Sequence, residues 1–262
     1  MNIKQLVYDH GFPSAKGHLI QTFVGGSALH GVKVEGNDDL DLYGVFIEHP
    51  HLALGIKRFE DFVTSTAPNT RKNTNADVDV TCYSLRKWAS LAANGNPTIL
   101  QFLFVPTVAA AWAWKEIVSN SHLFLARSHA ERYMGYASAQ LLRMLGRKGN
   151  GRHGQRPELE AAHGYDTKAA MHLLRLLYEG IELMKYEHIT LLRPESERQY
   201  LLSVREGKYS MEAVQEKAEE LFSRLKEARD QATSLPLKTS EKAISKLLAK
   251  VYLEAWADTW LY

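Results

Sequence analysis

Residues Gly25 to Ile47 read G-G-S-A-L-H-G-V-K-V-E-G-N-D-D-L-D-L-Y-G-V-F-I. The run Leu19-Ile20-Gln21-Thr22-Phe23-Val24 in front of them is β-branched and aromatic, and predicts a strand. Gly25-Gly26-Ser27 then turns the chain into a short helix that Gly31 closes. A helix start offers backbone N–H groups without intrahelical partners, which suits a phosphate. Gly36-Asn37-Asp38 is a turn signal, and Asp39–Ile47 predicts a second strand that ends at Pro50. Side chains alternate along a strand, so Asp39 and Asp41 project from one side, with Cα atoms roughly 6.5–7 Å apart. That separation lets two carboxylates grip one Mg²⁺, or bridge two ions about 3.5–4 Å apart. A phosphate cradle beside paired aspartates is equipment for phosphoryl or nucleotidyl transfer. The plainer alternative is a glycine turn followed by an edge strand with solvated charges, but aspartate is disfavoured in strands and two at i, i+2 need a reason.

Going outward, Ala76–Tyr83 predicts a third strand, with Asp77, Asp79, Thr81 and Tyr83 on one face and Val78, Val80 and Cys82 on the other. A third carboxylate for the metal would come from here. Asp79, flanked by two valines, lies deeper in the strand than Asp77 and is the better candidate, with Asp77 the alternative. Residues 1–18 predict a short helix and a loop around Gly11-Phe12-Pro13. Residues 51–75 are mixed, and Ser65–Asn75 reads as a loop or hairpin.

After the third strand the pattern becomes helical. Leu85, Trp88 and Leu91 sit at helical spacing until Asn94-Gly95, and Asn96-Pro97 caps a further helix. Helices are then predicted over 112–118, 121–145, 166–186, 195–206, 210–232 and 240–260. Between them the glycine-rich, basic segment 146–157 must be a loop. The fold class is therefore α+β: a small mixed sheet with flanking helices over residues 1–108, then a helical domain over 109–262.

Composition bounds the function. The 262 residues are 45% hydrophobic and 24% charged, which permits a sizeable core. A net charge of +2 does not argue for bulk nucleic-acid binding. Cys82 is the only cysteine, so no intrachain disulfide forms, and a reducing, cytoplasmic setting is expected. The first residues have no apolar core of signal-peptide length, and no run reaches about 18 consecutive apolar residues. The histidines lack metal spacing and there is no G-x-x-x-x-G-K-[ST], which argues against zinc and against an ordinary P-loop NTPase.

Two basic groups remain. Asp166 is a good N-cap, and Lys168, His172 and Arg175 follow at i, i+4 and i+7 on one helix face. They could meet a triphosphate or a nucleic-acid backbone, or be a solvated stripe, and without other information the stripe is the simpler reading. Arg147, Lys148, Arg152, His153 and Arg156 in the loop could clamp a phosphate chain or an RNA strand, or form a charged connector.

The ordered set resembles the DNA polymerase β-like nucleotidyltransferase superfamily, and within it the branch associated with RNA ligases in bacteria and phages. The resemblance rests on Gly26-Ser27, on Asp39 and Asp41 with Leu42-Tyr43-Gly44-Val45-Phe46, and on Asp79-Val80-Thr81-Cys82-Tyr83-Ser84-Leu85-Arg86-Lys87. It continues through Gly95-Asn96-Pro97 to Leu100-Gln101-Phe102-Leu103-Phe104, and through Gly164-Tyr165-Asp166-Thr167-Lys168 to His172-Leu173-Leu174-Arg175. It covers about residues 19–185. It implies Asp39, Asp41 and Asp79 as catalytic metal ligands for Mg²⁺ or Mn²⁺. It also implies Gly26, Ser27, Lys168, His172 and Arg175 as nucleotide contacts, an NTP substrate, and a nucleic-acid (RNA) end as acceptor. Three positions depart from the pattern: His30 where an aromatic is expected, Tyr43 in place of Arg, and Asp38 in place of Ser. They leave the carboxylates intact and bear on nucleotide selectivity and acceptor geometry. Competing expectations are transfer to a protein or small molecule, and a non-catalytic nucleotide-binding module.

Overall fold

The computed structural model describes residues 2–34, 39–67, 74, 76–106, 110–147 and 156–257. Along the chain run α1 (Ile3–Asp9), β1 (Gly17–Val24), α2 (Gly26–His30), β2 (Leu40–Glu48), α3 (Pro50–Ala53), β3 (Asp61–Ser65) and β4 (Val78–Ser84). Then come α4 (Leu85–Ala93), α5 (Pro97–Leu100), α6 (Trp112–Ser119), α7 (His129–Met144) and α8 (Pro157–His163). The last four are α9 (Thr167–Tyr186), α10 (Glu195–Arg205), α11 (Met211–Gln231) and α12 (Glu241–Ala257). These elements gather into two compact units. One comprises Met1–Asn94, Phe102–Phe124 and Ser240–Tyr262, the other Gly95–Gln101 and Leu125–Thr239. The class is α+β, as the sequence implies.

In the first unit the four strands lie in the order β1-β2-β4-β3. β2 and β4 run parallel, and the two outer pairings are antiparallel. Alternation decides what each face does. Leu42 and Phe46 of β2, Val80 and Cys82 of β4 and Leu19 of β1 enter one core cluster with Val7 and Phe12. Burying that apolar set forces their odd-numbered neighbours, Asp41 and Asp79 among them, onto the opposite face. Burial pushes the Cys82 thiol up to about 12, so it behaves as a small hydrophobe.

A second apolar centre forms around Trp88 of α4. Its ring meets Trp114 of α6 edge-on at 4.7 Å and Phe124 at 5.1 Å, and all three are fully buried. Trp88→Ala removes the tryptophan that touches both other rings and is expected to cost about 3–5 kcal/mol. A fall in melting temperature or denaturant midpoint checks it, and a change within measurement error would contradict it.

In the second unit α9 buries most of its residues, from Thr167 to Met184, which marks a central helix. A Cβ on Gly180 would lie 3.0 Å from Leu225 of α11 and 3.1 Å from Tyr133 of α7, so these three helices pack closely there.

Four sequence expectations need correction or completion. The predicted helix over 121–145 is a 3-10 turn, Ser121–Phe124, followed by a break and then α7. The break is held by backbone bonds rather than by composition: the Arg127 and Ser128 N–H groups donate to the Pro236 and Leu237 carbonyls. β3 was not expected as a strand; it is short, at the sheet edge, with Asp61, Val63 and Ser65 exposed, so its pattern is faint. α8 also escaped the helical reading. Asp39 stands one residue before β2 rather than within it. The turn at Gly36-Asn37-Asp38, most of the segment 68–75, and Lys148, Arg152 and His153 of the basic loop lie outside the described residues.

Candidate active site

β1 delivers the chain to Gly25, whose N–H donates to the Asp41 carbonyl at 2.9 Å. A Cβ on Gly25 would sit 2.2 Å from the Tyr43 ring. Gly26 has φ +59°, and a Cβ there would lie 1.9 Å from Asp41 Oδ2. The Gly-Gly pair is thus required by how closely this turn approaches β2. Ser27 follows in the first turn of α2, and Gly31 ends that helix in the left-handed region at φ +68°.

In the parallel pairing of β2 with β4, Asp41 is the direct partner of Asp79. Adjacent strands are about 4.8 Å apart, so the two carboxylates leave neighbouring backbones side by side on one face. Asp39 joins them two residues upstream: one oxygen from each of the three lies within 4.8 Å of the others. All three are partly exposed, which keeps them open to solvent and ligand.

Asp77 has another task. It is 3% exposed, and its carboxylate accepts from the Thr74 N–H at 2.7 Å, the Thr74 hydroxyl at 2.8 Å and the Thr66 hydroxyl at 3.4 Å. It clasps the connection into β4, while its carbonyl accepts from the Leu40 N–H and helps align β2. Of the two sequence candidates, Asp79 is the one that lies with Asp39 and Asp41.

One step further along the same face stands Tyr43. Its ring stacks on Phe23 at 5.7 Å, and Phe102 meets both rings edge-on. An aromatic wall therefore lies beside the carboxylates.

The three aspartates offer only hard oxygen donors in a tight group, which suits Mg²⁺ or Mn²⁺ and not a soft metal. The donor set fits a divalent ion.

In the second unit the structure collects Lys168, His172 and Arg175 at the start of α9. Asp166 caps that helix by accepting from the Ala169 N–H at 2.9 Å, and pairs with Arg156 at 2.8 Å. Arg175 pairs at 2.8 Å with the fully buried Glu179, which also accepts from Gln101 at 3.1 Å. Arg205 of α10 reaches the Thr167 hydroxyl at 3.5 Å. Burial holds the His172 imidazole well below its ordinary range, helped by Arg175, Lys168, Arg156 and Arg205 around it. The ring is therefore neutral at pH 7 within a strongly positive neighbourhood. This is not a solvated stripe. Arg205 was missed in the sequence, since it stands on a different helix, thirty residues past Arg175, with no motif of its own.

Residues 9–251 match the family model described as the RNA repair pathway DNA polymerase beta family, RlaP. The chain belongs to that family. RNA repair pathway DNA polymerase beta family membership makes it a polymerase β-like nucleotidyltransferase, and the aspartate cluster is the part of it that could bind metal. No curated protein matches significantly. A crystal structure of a nucleotidyltransferase-like protein from Exiguobacterium sibiricum 255-15 is 14% identical, covering 87% of this chain and 74% of that one. Its TM-score of 0.31 is too low to carry an argument. Among the described residues no helix is long and apolar enough to cross a membrane.

Proposed function

We propose that this family member transfers a nucleoside monophosphate from an NTP to a hydroxyl at the end of an RNA, with Mg²⁺ or Mn²⁺ held by Asp39, Asp41 and Asp79. The observation that carries it is the pairing of Asp41 with Asp79 across parallel strands, with Asp39 within reach. A divalent ion bound there supplies charge neutralisation on the phosphates and lowers the pKa of the attacking hydroxyl.

The chain's own residues do the rest. Gly26 and Ser27 receive the phosphates at the turn, where no side chain at Gly26 obstructs the approach. Asp41, fixed by its strand partners, and Asp39 set the position of the triphosphate. Asp79 orients the acceptor hydroxyl. The acceptor hydroxyl passes its proton to the Asp79 carboxylate as its oxygen bonds to the α-phosphorus, the α–β bridging bond breaks in line, and pyrophosphate leaves. The family resemblance assigns Lys168, His172 and Arg175 as nucleotide contacts. Tyr43, with Phe23 and Phe102 behind it, is a surface for a base or sugar. The lone buried Cys82 suits a reducing compartment, the cytoplasm.

The test is incubation with each α-labelled NTP and Mg²⁺ in the presence of RNA, DNA and protein acceptors. Label on RNA that requires the metal is the expected result. Label on protein alone would replace the acceptor assignment, and no label on any acceptor would remove the reaction.

A further inference from the structure

The first unit holds a cavity of about 250 Å³ at the other end of β2 from the carboxylates. Lys4 of α1, His18 of β1, His49 after β2, Trp112 at the start of α6 and Trp256 near the end of α12 line it, with Glu48. From Asp41 to His49 is eight residues of strand, roughly 26 Å. One nucleotide cannot touch both places, so this is not a lobe of the site described above.

Glu48 aside, its polar lining is one ammonium and two imidazoles, and its walls are aromatic. The His18 and His49 rings meet edge-on at 4.9 Å, and His51 stacks on His49 at 6.2 Å. Partial burial, then His49 and Lys4, hold His18 below its ordinary range. Its ring is therefore the uncharged form at pH 7, able to donate or accept one hydrogen bond, and Lys4 brings the standing positive charge. Glu48 does not offset that charge freely. Its carboxylate accepts from the Tyr252 hydroxyl at 2.5 Å and faces Arg86 at 4.0 Å. Trp256 is fixed by donating its indole N–H to the Glu48 carbonyl at 2.9 Å. Trp112 is exposed, so one aromatic face is open to a ligand.

We propose that this cavity is a second binding site, for one nucleotide unit. Its base packs on Trp112 and Trp256, and its phosphate meets Lys4, His18 and His49. Aromatic stacking with adjacent cations is the combination that holds single nucleotides without base-specific contacts. The volume admits one unit and not a run of them. The unit is either a free 5′-nucleotide or one residue of an RNA strand whose reacting end lies elsewhere. The inference stands on the cavity's own chemistry and not on the transfer reaction.

The experiment is calorimetric titration in EDTA, which removes metal-dependent binding at the carboxylates. The probes are 5′-AMP and a ten-residue oligoadenylate. The proteins are the full chain, the Lys4→Ala/His18→Ala double variant and Trp112→Ala. Lys4, His18 and Trp112 all lie at the surface, the His18 ring only partly covered, so these variants are expected to fold. Each variant is expected to weaken binding roughly tenfold. Weakened binding of AMP identifies a free-nucleotide site, and weakened binding of the oligomer alone identifies an RNA residue. No binding of either probe to the full chain, or affinities unchanged in both variants, would overturn the proposal. Transfer measured separately with Mg²⁺ keeps the two conclusions independent.

Discussion

Replacing Asp39 and Asp41 together by alanine is expected to lower nucleotidyl transfer by about 10³-fold or more, with the far-ultraviolet circular dichroism unchanged. The two side chains are partly exposed and outside the sheet's apolar core, so their loss should leave the packing of Leu42, Phe46, Val80 and Cys82 intact. Two of the three clustered carboxylates disappear, and a single remaining carboxylate, Asp79, cannot fix a hard cation against water. Several kcal/mol of charge stabilisation go with it, and each 1.36 kcal/mol is a factor of ten. A second readout separates metal loss from misfolding. Mg²⁺ should raise the melting temperature of the wild-type protein by a few degrees through preferential binding to the folded state. The double variant should show no such rise. Transfer within tenfold of wild type would sink the carboxylate assignment.

The sheet and the site were legible to different degrees, and the reasons are physical. β1, α2, β2 and β4 could be read because each carries its own signal: a β-branched run, a Gly-Ser turn, strict alternation around Val78, Val80 and Cys82. The Asp39/Asp41 pair was visible because two aspartates at i, i+2 are unusual in a strand. Alternation in β4 made Asp79 a candidate third carboxylate and the family resemblance supported it, but the meeting itself could not be read locally, since strand order is set by long-range pairing that no local pattern records. The same limit explains Asp77. In sequence it shares a face with Asp79 and is the weaker candidate only because it lies nearer the strand end, and only the hydrogen bonds from Thr66 and Thr74 show it spent on holding a loop. The break before α7 was illegible because it depends on carbonyls more than a hundred residues away, at Pro236 and Leu237. In the second unit the N-cap and the Lys168, His172, Arg175 spacing were plain. Their crowded, half-buried setting was not, because it involves Glu179 four residues on and Arg205 from another helix.

Gly26→Ala is expected to reduce transfer by about 10²-fold while costing only about 1–2 kcal/mol of stability. The backbone at φ +59° is in the left-handed region, which a Cβ makes unfavourable by about that amount. The larger consequence is steric. The added carbon would fall 1.9 Å from Asp41 Oδ2 and 2.8 Å from its Cγ. The two cannot coexist, so either the turn lifts away from β2 or the carboxylate swings out of the cluster with Asp39 and Asp79. Each escape moves a ligand or the phosphate cradle by an ångström or more, and misplacement on that scale costs about 10²-fold in a positioned reaction. Gly11→Ala is the control for backbone strain alone. Its φ is +93°, and a Cβ there would meet nothing closer than Phe62 at 3.9 Å. It should lose comparable stability and keep its transfer rate. Equal losses of activity in the two variants would mean that Gly26 matters for folding and not for where Asp41 points. A Gly26→Ala protein with full activity would show that the Asp41 carboxylate is not held against this turn when the enzyme works.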